Sequence, residues 1–325
     1  MARRKADLAT AMQPAITGDG RRVEVVANIG GLADAEQALR LGGEGVGLLR
    51  SEFLFMGRSV APSEDEQAEI YREIAAALGP ERPLIIRTLD VGGDKPLPYL
   101  PIPKEDNPFL GERGIRIGLD RPEILRTQVR AILRASEKGK VLVMFPMIAT
   151  LTEWRSARAL LEEEREKLGF PPIPVGIMVE VPAAAIMAEQ FAREADFFSI
   201  GTNDLTQYTL AMDRGHPKLA PQVDGLNPAV LRLIAGVVEA AHREKKWVGV
   251  CGGIAGDPQA IPLLIGLGVD ELSVSVPTIP GIKAEVRALR LADCRRLAQE
   301  ALRKDTAAAV RALCPNPLED EWRER

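Results

Sequence analysis

The sequence predicts an α/β protein folded as a (β/α)8 barrel, and three observations carry that reading. Eight short runs of aliphatic and β-branched residues recur along the 325-residue chain. Segments of helical periodicity separate them, the alternation expected of a parallel sheet wrapped by helices. No glycine-rich fingerprint follows the first run, as it would in an open dinucleotide-binding sheet, the other fold that alternates in this way.

In chain order the runs are VEVVANI (23–29), GVGLLR (45–50), PLIIRTLD (83–90) and VLVMFPMI (141–148), then VGIMVE (175–180), FFSIGTND (197–204), WVGVCGG (247–253) and ELSVSV (271–276). Most are continuously apolar rather than alternating, which suits strands buried on both faces. Helices are expected over 34–42, 64–79, 122–139, 151–169, 183–194, 228–245 and 257–268. Several begin beside Ser, Thr, Asp or Pro and end in Gly, the usual start and stop residues. The Pro-rich insert PLPYLPIPKEDNPFLGERGIRIGL, from Pro96, is too long for an ordinary strand-to-helix loop, and such loops more often carry function. Residues 283–313 read as one or two closing helices, and a frayed tail is expected beyond Cys314. The expected division is 1–22 as a linker, 23–290 as the barrel and 291–325 as C-terminal helices and tail.

Composition narrows the classes. Hydrophobic residues make up 46% of the chain, enough for a large core, and the net charge is −4 with both signs interspersed. That leaves no basic stripe for nucleic acid and no polybasic membrane patch. Cys251, Cys294 and Cys314 are too few and too scattered for a disulfide framework or zinc cluster, which favours a reducing compartment. No apolar run reaches the length of a membrane span, and the basic start lacks the apolar stretch of a signal peptide. A soluble, cytoplasmic protein is expected.

A barrel assembles its site from the C-terminal ends of its strands. Here those ends read Asn28, Arg50-Ser51-Glu52, Arg87-Thr88-Leu89-Asp90, Glu180, Asn203-Asp204, Cys251-Gly252-Gly253 and Ser275. Each alone is an ordinary strand-to-loop residue; together, arginines, acids and a thiol on one rim call for a shared cause. Glu180 and Asp204 are hard oxygen donors from adjacent strands, a set that suits Mg2+, which fills its other positions with water and substrate oxygens. The bland alternative is a carboxylate capping the next helix, easier for Asp204 before LTQYTL than for Glu180 before Val181-Pro182. Arg50, Arg87 and Arg214 are permanently charged forks for phosphate or carboxylate. With Mg2+ they describe a small, multiply anionic, phosphorylated substrate, and phosphoryl transfer is catalysed chiefly by such positioning and charge. The glycines of DVGGDK (90–95) let a loop approach an anion, with Lys95 adding a point charge. Cys251, among glycines at a crowded mouth, can serve as a general acid or, with a lowered pKa, as a nucleophile; a small buried filler is the competing reading. That filler reading is kept for Cys294 and Cys314. His216 and His242 read as surface or helix-end residues, so a phosphoryl-accepting histidine is not expected in this chain.

These motifs resemble the C-terminal phosphoenolpyruvate-binding domain of Enzyme I of the bacterial sugar phosphotransferase system. The likeness covers residues 24 to 290 and rests on GVGLLRSEFLFM, RTLDVGGDK, NPFLGERGIRIGLD, FPMI, IMVEVPAA, FFSIGTNDLTQYTLAMDR and GVCGGIAGD. It implies a barrel of the phosphoenolpyruvate/pyruvate type, with Glu180 and Asp204 as Mg2+ ligands and Arg50, Arg87 and Arg214 on the phosphoryl group. It further implies Arg113 as another active-site arginine, Lys95 in a phosphate loop, Asn203 with Asp204 on the substrate, and Cys251 protonating C3 of the enolpyruvate. The implied reaction passes phosphate to a histidine on an N-terminal domain and on to a phosphocarrier protein, giving pyruvate, with a homodimer as the assembly. That histidine domain is not in this sequence, so turnover by the chain alone is not expected. Many Enzyme I sequences read Cys-Gly-Glu where this chain has Cys251-Gly252-Gly253, and the Gly-Gly form looks more like the fused multiphosphoryl transfer proteins. Two other readings remain: the related barrel of pyruvate phosphate dikinase or phosphoenolpyruvate synthase, and a ligand-responsive dimerisation module without turnover.

Overall fold

A computed structural model describes residues 2–92 and 97–314 of the chain. Eight parallel strands close into a barrel in sequence order. They are β1 (Glu24–Ile29), β2 (Val46–Arg50), β3 (Pro83–Arg87), β4 (Lys140–Phe145), β5 (Val175–Val179), β6 (Phe197–Ile200), β7 (Trp247–Val250) and β8 (Glu271–Ser275). Closure is made by β1 against β8, with Glu24 opposite Glu271 and Asn28 opposite Ser275.

Alternation along each strand divides the apolar residues between two cores. On β4, Val141, Val143 and Phe145 join the large cluster between sheet and helices, while Leu142 and Met144 join a small one with Leu48, Ile85, Met178, Phe197 and Cys251 inside the barrel. The helices start where the chain supplies caps. Ser63 and Glu66 form a reciprocal capping box ahead of Glu64–Leu78, as do Thr150 and Glu153 ahead of Leu151–Leu168. Such caps contribute about 1 kcal/mol each. Gly169, in the left-handed conformation at φ 73°, ends the second of these helices.

All eight strand positions match the sequence expectation, but six strands stop one to four residues short of their apolar runs or site motifs. Beyond Arg87, Phe145, Ile200 and Val250 the backbone leaves the ladder to build the rim. The clearest difference is at FFSIGTND. The strand ends at Ile200 and Gly201 opens the helix Thr202–Leu210, so Asn203 and Asp204 belong to a helix's first turn and not to a strand end. The helix expected over 183–194 is broken at Met187 into Pro182–Ile186 and Ala188–Ala192. The one expected over 257–268 begins only at Ile261, after a 3-10 turn over Gly253–Gly256. The long insert forms a 3-10 turn at Pro108–Leu110 and a short helix, Ile115–Asp120. Among the described residues three helices, rather than one or two, follow β8: Ile279–Ala288, Leu291–Ala301 and Ala307–Arg311. Ahead of the barrel, Ala2–Ala9 is helical, and Arg287 ties this region down through Thr10 and the Gln13 carbonyl. Lys95 and the tail from residue 315 lie outside the described residues.

Candidate active site

The rim residues meet at one cavity of about 590 Å3 at the C-terminal mouth of the barrel. Arg50, Arg87, Arg113, Glu180, Asn203, Asp204, Arg214 and Cys251 all line it, joined by Glu52 and Asp90. Six of the strand-end residues do not: Asn28, Ser51, Thr88, Leu89, Gly253 and Ser275. Ser275 turns back to Thr278, and Asn28 stays in the barrel, donating from Nδ2 to the carbonyls of Cys251 at 3.2 Å and Ser273 at 3.0 Å.

Local backbone geometry explains how distant groups arrive. Met147, in FPMI, has φ 57°, a conformation a non-glycine residue holds only when its surroundings enforce it. That turn aims its N–H at Glu180 Oε2, 2.9 Å away. Ala211, at φ 53°, ends the helix that carries Asp204. The chain then folds back, Gln207 Oε1 accepts the Arg214 N–H at 3.0 Å, and the Arg214 guanidinium comes to 3.5 Å from Asp204. Gly252 is required by proximity: a Cβ there would lie 1.9 Å from Thr202 Oγ1. At Gly253 a Cβ would stand 3.2 Å from Asn203 Oδ1, which accepts the Gly253 N–H at 2.9 Å. The Gly-Gly sequence thus lets the β7 loop close onto Asn203.

The cations fall into two kinds. Arg87 is buried and held by Glu52, by Asp90 at 3.0 Å and by Glu180 at 3.8 Å. Arg113 is equally buried, reaching Asp90 at 3.0 Å, Asp204 at 3.2 Å and the Tyr208 hydroxyl at 3.3 Å. Arg50 is exposed and makes no hydrogen bond or ion pair among the described residues, and the Arg214 side chain is 38% exposed. The buried pair therefore fixes the carboxylates, while Arg50 and Arg214 remain open to an incoming anion.

Asp204 does not cap its helix: Gly201 occupies that position, and Asp204 instead faces Arg113 and Arg214. Burial, then the charges of Asp204 and Asp90, push the Glu180 carboxyl well above the usual carboxylate range. Burial likewise pushes the Cys251 thiol up to about 11, so it is protonated at neutral pH. A thiol in that state suits proton donation better than nucleophilic attack. Cys294, in the helix Leu291–Ala301, and Cys314, just past the last helix, are buried away from the mouth. His216 lies in an exposed turn, and His242 is paired with Asp270 at 2.8 Å.

Sequence reasoning overlooked several partners. Glu52 and Asp90 were visible as strand-end acids, but nothing in the pattern showed that they would hold Arg87. Tyr208 sits one helical turn after Asp204 in TNDLTQYTL, and that spacing is the one signal that could have placed it near the mouth. Arg311 had no local signal at all. It reaches across from the last helix to pair with Asp224 at 2.7 Å and Asp257 at 2.9 Å, fastening the loops that follow Arg214 and Cys251.

Fold and site together define a (β/α)8 barrel whose C-terminal mouth gathers fixed cations, carboxylates and a protonated thiol for a small anion. The chain belongs to the family described as PEP-utilising enzyme, PEP-binding domain, which it matches over residues 4–291. It is 56% identical over 312 residues to a multiphosphoryl transfer protein of Rhodobacter capsulatus, covering 96% of this chain and 38% of that protein. It is 52% identical to a phosphoenolpyruvate-protein phosphotransferase of Geobacillus stearothermophilus (91% of this chain, 52% of that one) and 51% identical to one of Haemophilus influenzae (95% and 55%). The chain thus spans about half the length, or less, of these curated relatives. A citrate lyase structure from Burkholderia xenovorans shares the fold, with a TM-score of 0.51 at 15% identity and 95% of each chain covered.

Proposed function

We propose that this chain is the phosphoenolpyruvate-binding part of a phosphoenolpyruvate-protein phosphotransferase, acting in the cytoplasm as part of a homodimer. One observation carries the reading: a protonated Cys251, two open guanidiniums and the Glu180–Asp204 pair face a single cavity. The names of relatives at about 50% identity support the substrate and reaction.

The donor set fits Mg2+. The charge of Asp204 helps to disfavour the Glu180 anion, which a cation would relieve. Mg2+ takes one or two carboxylates and fills the rest of its shell from water and substrate oxygens. When bound there, Mg2+ would neutralise charge on the phosphoryl and carboxylate oxygens. The protein's own groups do the rest. Arg50 and Arg214 seat the phosphoryl group, while Arg87 and Arg113 hold the carboxylates in place. Asn203 orients the substrate from the helix turn that also carries Asp204. As the P–O bond to the enolate breaks and a P–N bond forms on the acceptor histidine, the enolate's electron pair takes the Cys251 proton at C3, giving pyruvate. The acceptor belongs to a separate N-terminal phosphohistidine domain, which passes the group to a phosphocarrier protein.

The test is to mix this chain with the histidine-bearing domain of a relative and phosphoryl-labelled phosphoenolpyruvate. Label should move to the added domain, and Cys251→Ala should abolish pyruvate formation. Label on this chain instead would overturn the reading.

A further inference from the structure

The barrel has a second cavity at its opposite, N-terminal mouth. Its volume is about 740 Å3, within the usual range for small-molecule sites. The first residues of five strands line it: Glu24, Pro83, Lys140, Trp247 and Glu271. Trp247 stacks on Phe197 inside the barrel, with centroids 4.7 Å apart and rings 3° from parallel. With Leu142, this stack floors the cavity and separates it from the phosphoenolpyruvate mouth.

Glu271 is the unusual group. Its side chain enters the barrel, it is 3% exposed, and its Oε1 has no hydrogen-bond partner. Three of the other four acids at this mouth are occupied, and Glu24 is half-exposed, 4.0 Å from Arg22. Asp270 holds Arg21 at 2.5 Å and His242 at 2.8 Å, Asp196 accepts the Val175 N–H at 2.8 Å, and Glu162 pairs with Arg165 at 2.6 Å. A buried carboxyl oxygen left without a partner is expensive unless something else satisfies it. An anion is a poor candidate, because five carboxyl groups line the cavity against three cations; Arg22 and Arg158 are already engaged with Glu44 and the Glu194 carbonyl, which leaves only the exposed Lys140 at the rim. A cation is favoured by the charge and by the aromatic wall.

We propose that the N-terminal mouth is a second ligand site for a small organic cation. Its ammonium or guanidinium head pairs with Glu271, and its short apolar body lies on Trp247, Leu142 and Ile173. The two mouths of the barrel then have opposite preferences, anion at one end and cation at the other. Burial, with Glu24 and Asp270 nearby and Lys140 opposing them, pushes the Glu271 carboxyl up to about 8, and a bound cation would restore the carboxylate.

The experiment titrates the full chain with n-butylammonium, n-butylguanidinium and, as the anionic counterpart, butyrate. Binding is read by tryptophan fluorescence and by saturation-transfer NMR of the probe. Saturable binding of one or both cations, with none for butyrate, is expected. Glu271→Gln keeps the shape of the side chain and should weaken cation binding by at least about tenfold. Gly249→Ala should also weaken it, because the added Cβ would lie 2.8 Å from Glu271 Oε1 and displace it. No saturation by either cation, an equal response to butyrate, or undiminished binding in Glu271→Gln would each overturn the proposal.

Discussion

Glu271→Gln has a consequence for stability that does not require any ligand. The Glu271 carboxyl stands at about 8 in the fold against 4.5 in the unfolded chain. Between those values the folded protein holds a proton that the unfolded chain has released. Its contribution to stability is therefore complete below about pH 4.5 and is lost as pH rises towards 8. A gap of that size corresponds to at most roughly 5 kcal/mol across the window, and relaxation of the surroundings around the charged form reduces this to about 2–3 kcal/mol. Glutamine has no such proton to lose. Urea unfolding of both proteins at pH 5, 6, 7 and 8, at constant salt, isolates the effect, because groups distant from residue 271 cancel in the difference. Wild type should lose at least about 2 kcal/mol relative to Glu271→Gln between pH 5 and 8. Parallel curves would refute the reasoning and show Glu271 to be solvated like a surface carboxyl.

Three further outcomes follow from the active mouth. Because Glu180 is held protonated by burial and its acidic neighbours, Mg2+ binding should release a proton near neutral pH and tighten as pH rises. Calorimetry in two buffers of different ionisation enthalpy counts that proton, and Glu180→Gln should release none. With the Cys251, Cys294 and Cys314 thiols all pushed up to about 11, absorbance at the thiolate band should show no cysteine ionising below about pH 9. A thiolate titrating near pH 7 would instead favour a nucleophilic role for Cys251. Removing Arg311 frees both loops it fastens, so Arg311→Ala should weaken phosphoenolpyruvate binding by about three- to tenfold, or ~1 kcal/mol. Its own ion pairs are partly exposed, so the accompanying stability loss should stay near 1 kcal/mol. Unchanged affinity would show that the loops hold themselves.

Much of the fold was legible because a parallel barrel buries its strands on both faces, and that writes mostly unbroken apolar runs into the chain. The rim was legible for a related reason: polar residues at strand ends are conspicuous against such runs. Where each strand stops was not legible, since FFSIGTND changes from strand to helix at Gly201 without a break in local propensity. The division of labour among the arginines was also hidden. Arg50 and Arg87 both end a strand, yet only Arg87 is enclosed by Glu52, Asp90 and Glu180, groups brought together by closure of the barrel. Arg311 and the Asp224 and Asp257 it joins are separated by more than 50 residues, beyond the reach of any local pattern. Glu271 was hidden for the opposite reason. It opens an ordinary strand, and its isolation appears only once the barrel surrounds it.

The most direct test of the proposed function is calorimetric titration of phosphoenolpyruvate into the chain, with Mg2+ present and after its removal by a chelator. The same titrations are made on Glu180→Gln and Asp204→Asn. Binding should require Mg2+ and weaken by at least about tenfold in each variant. Binding that survives metal removal and both substitutions unchanged would contradict the account of this mouth as a metal-assisted phosphoenolpyruvate site.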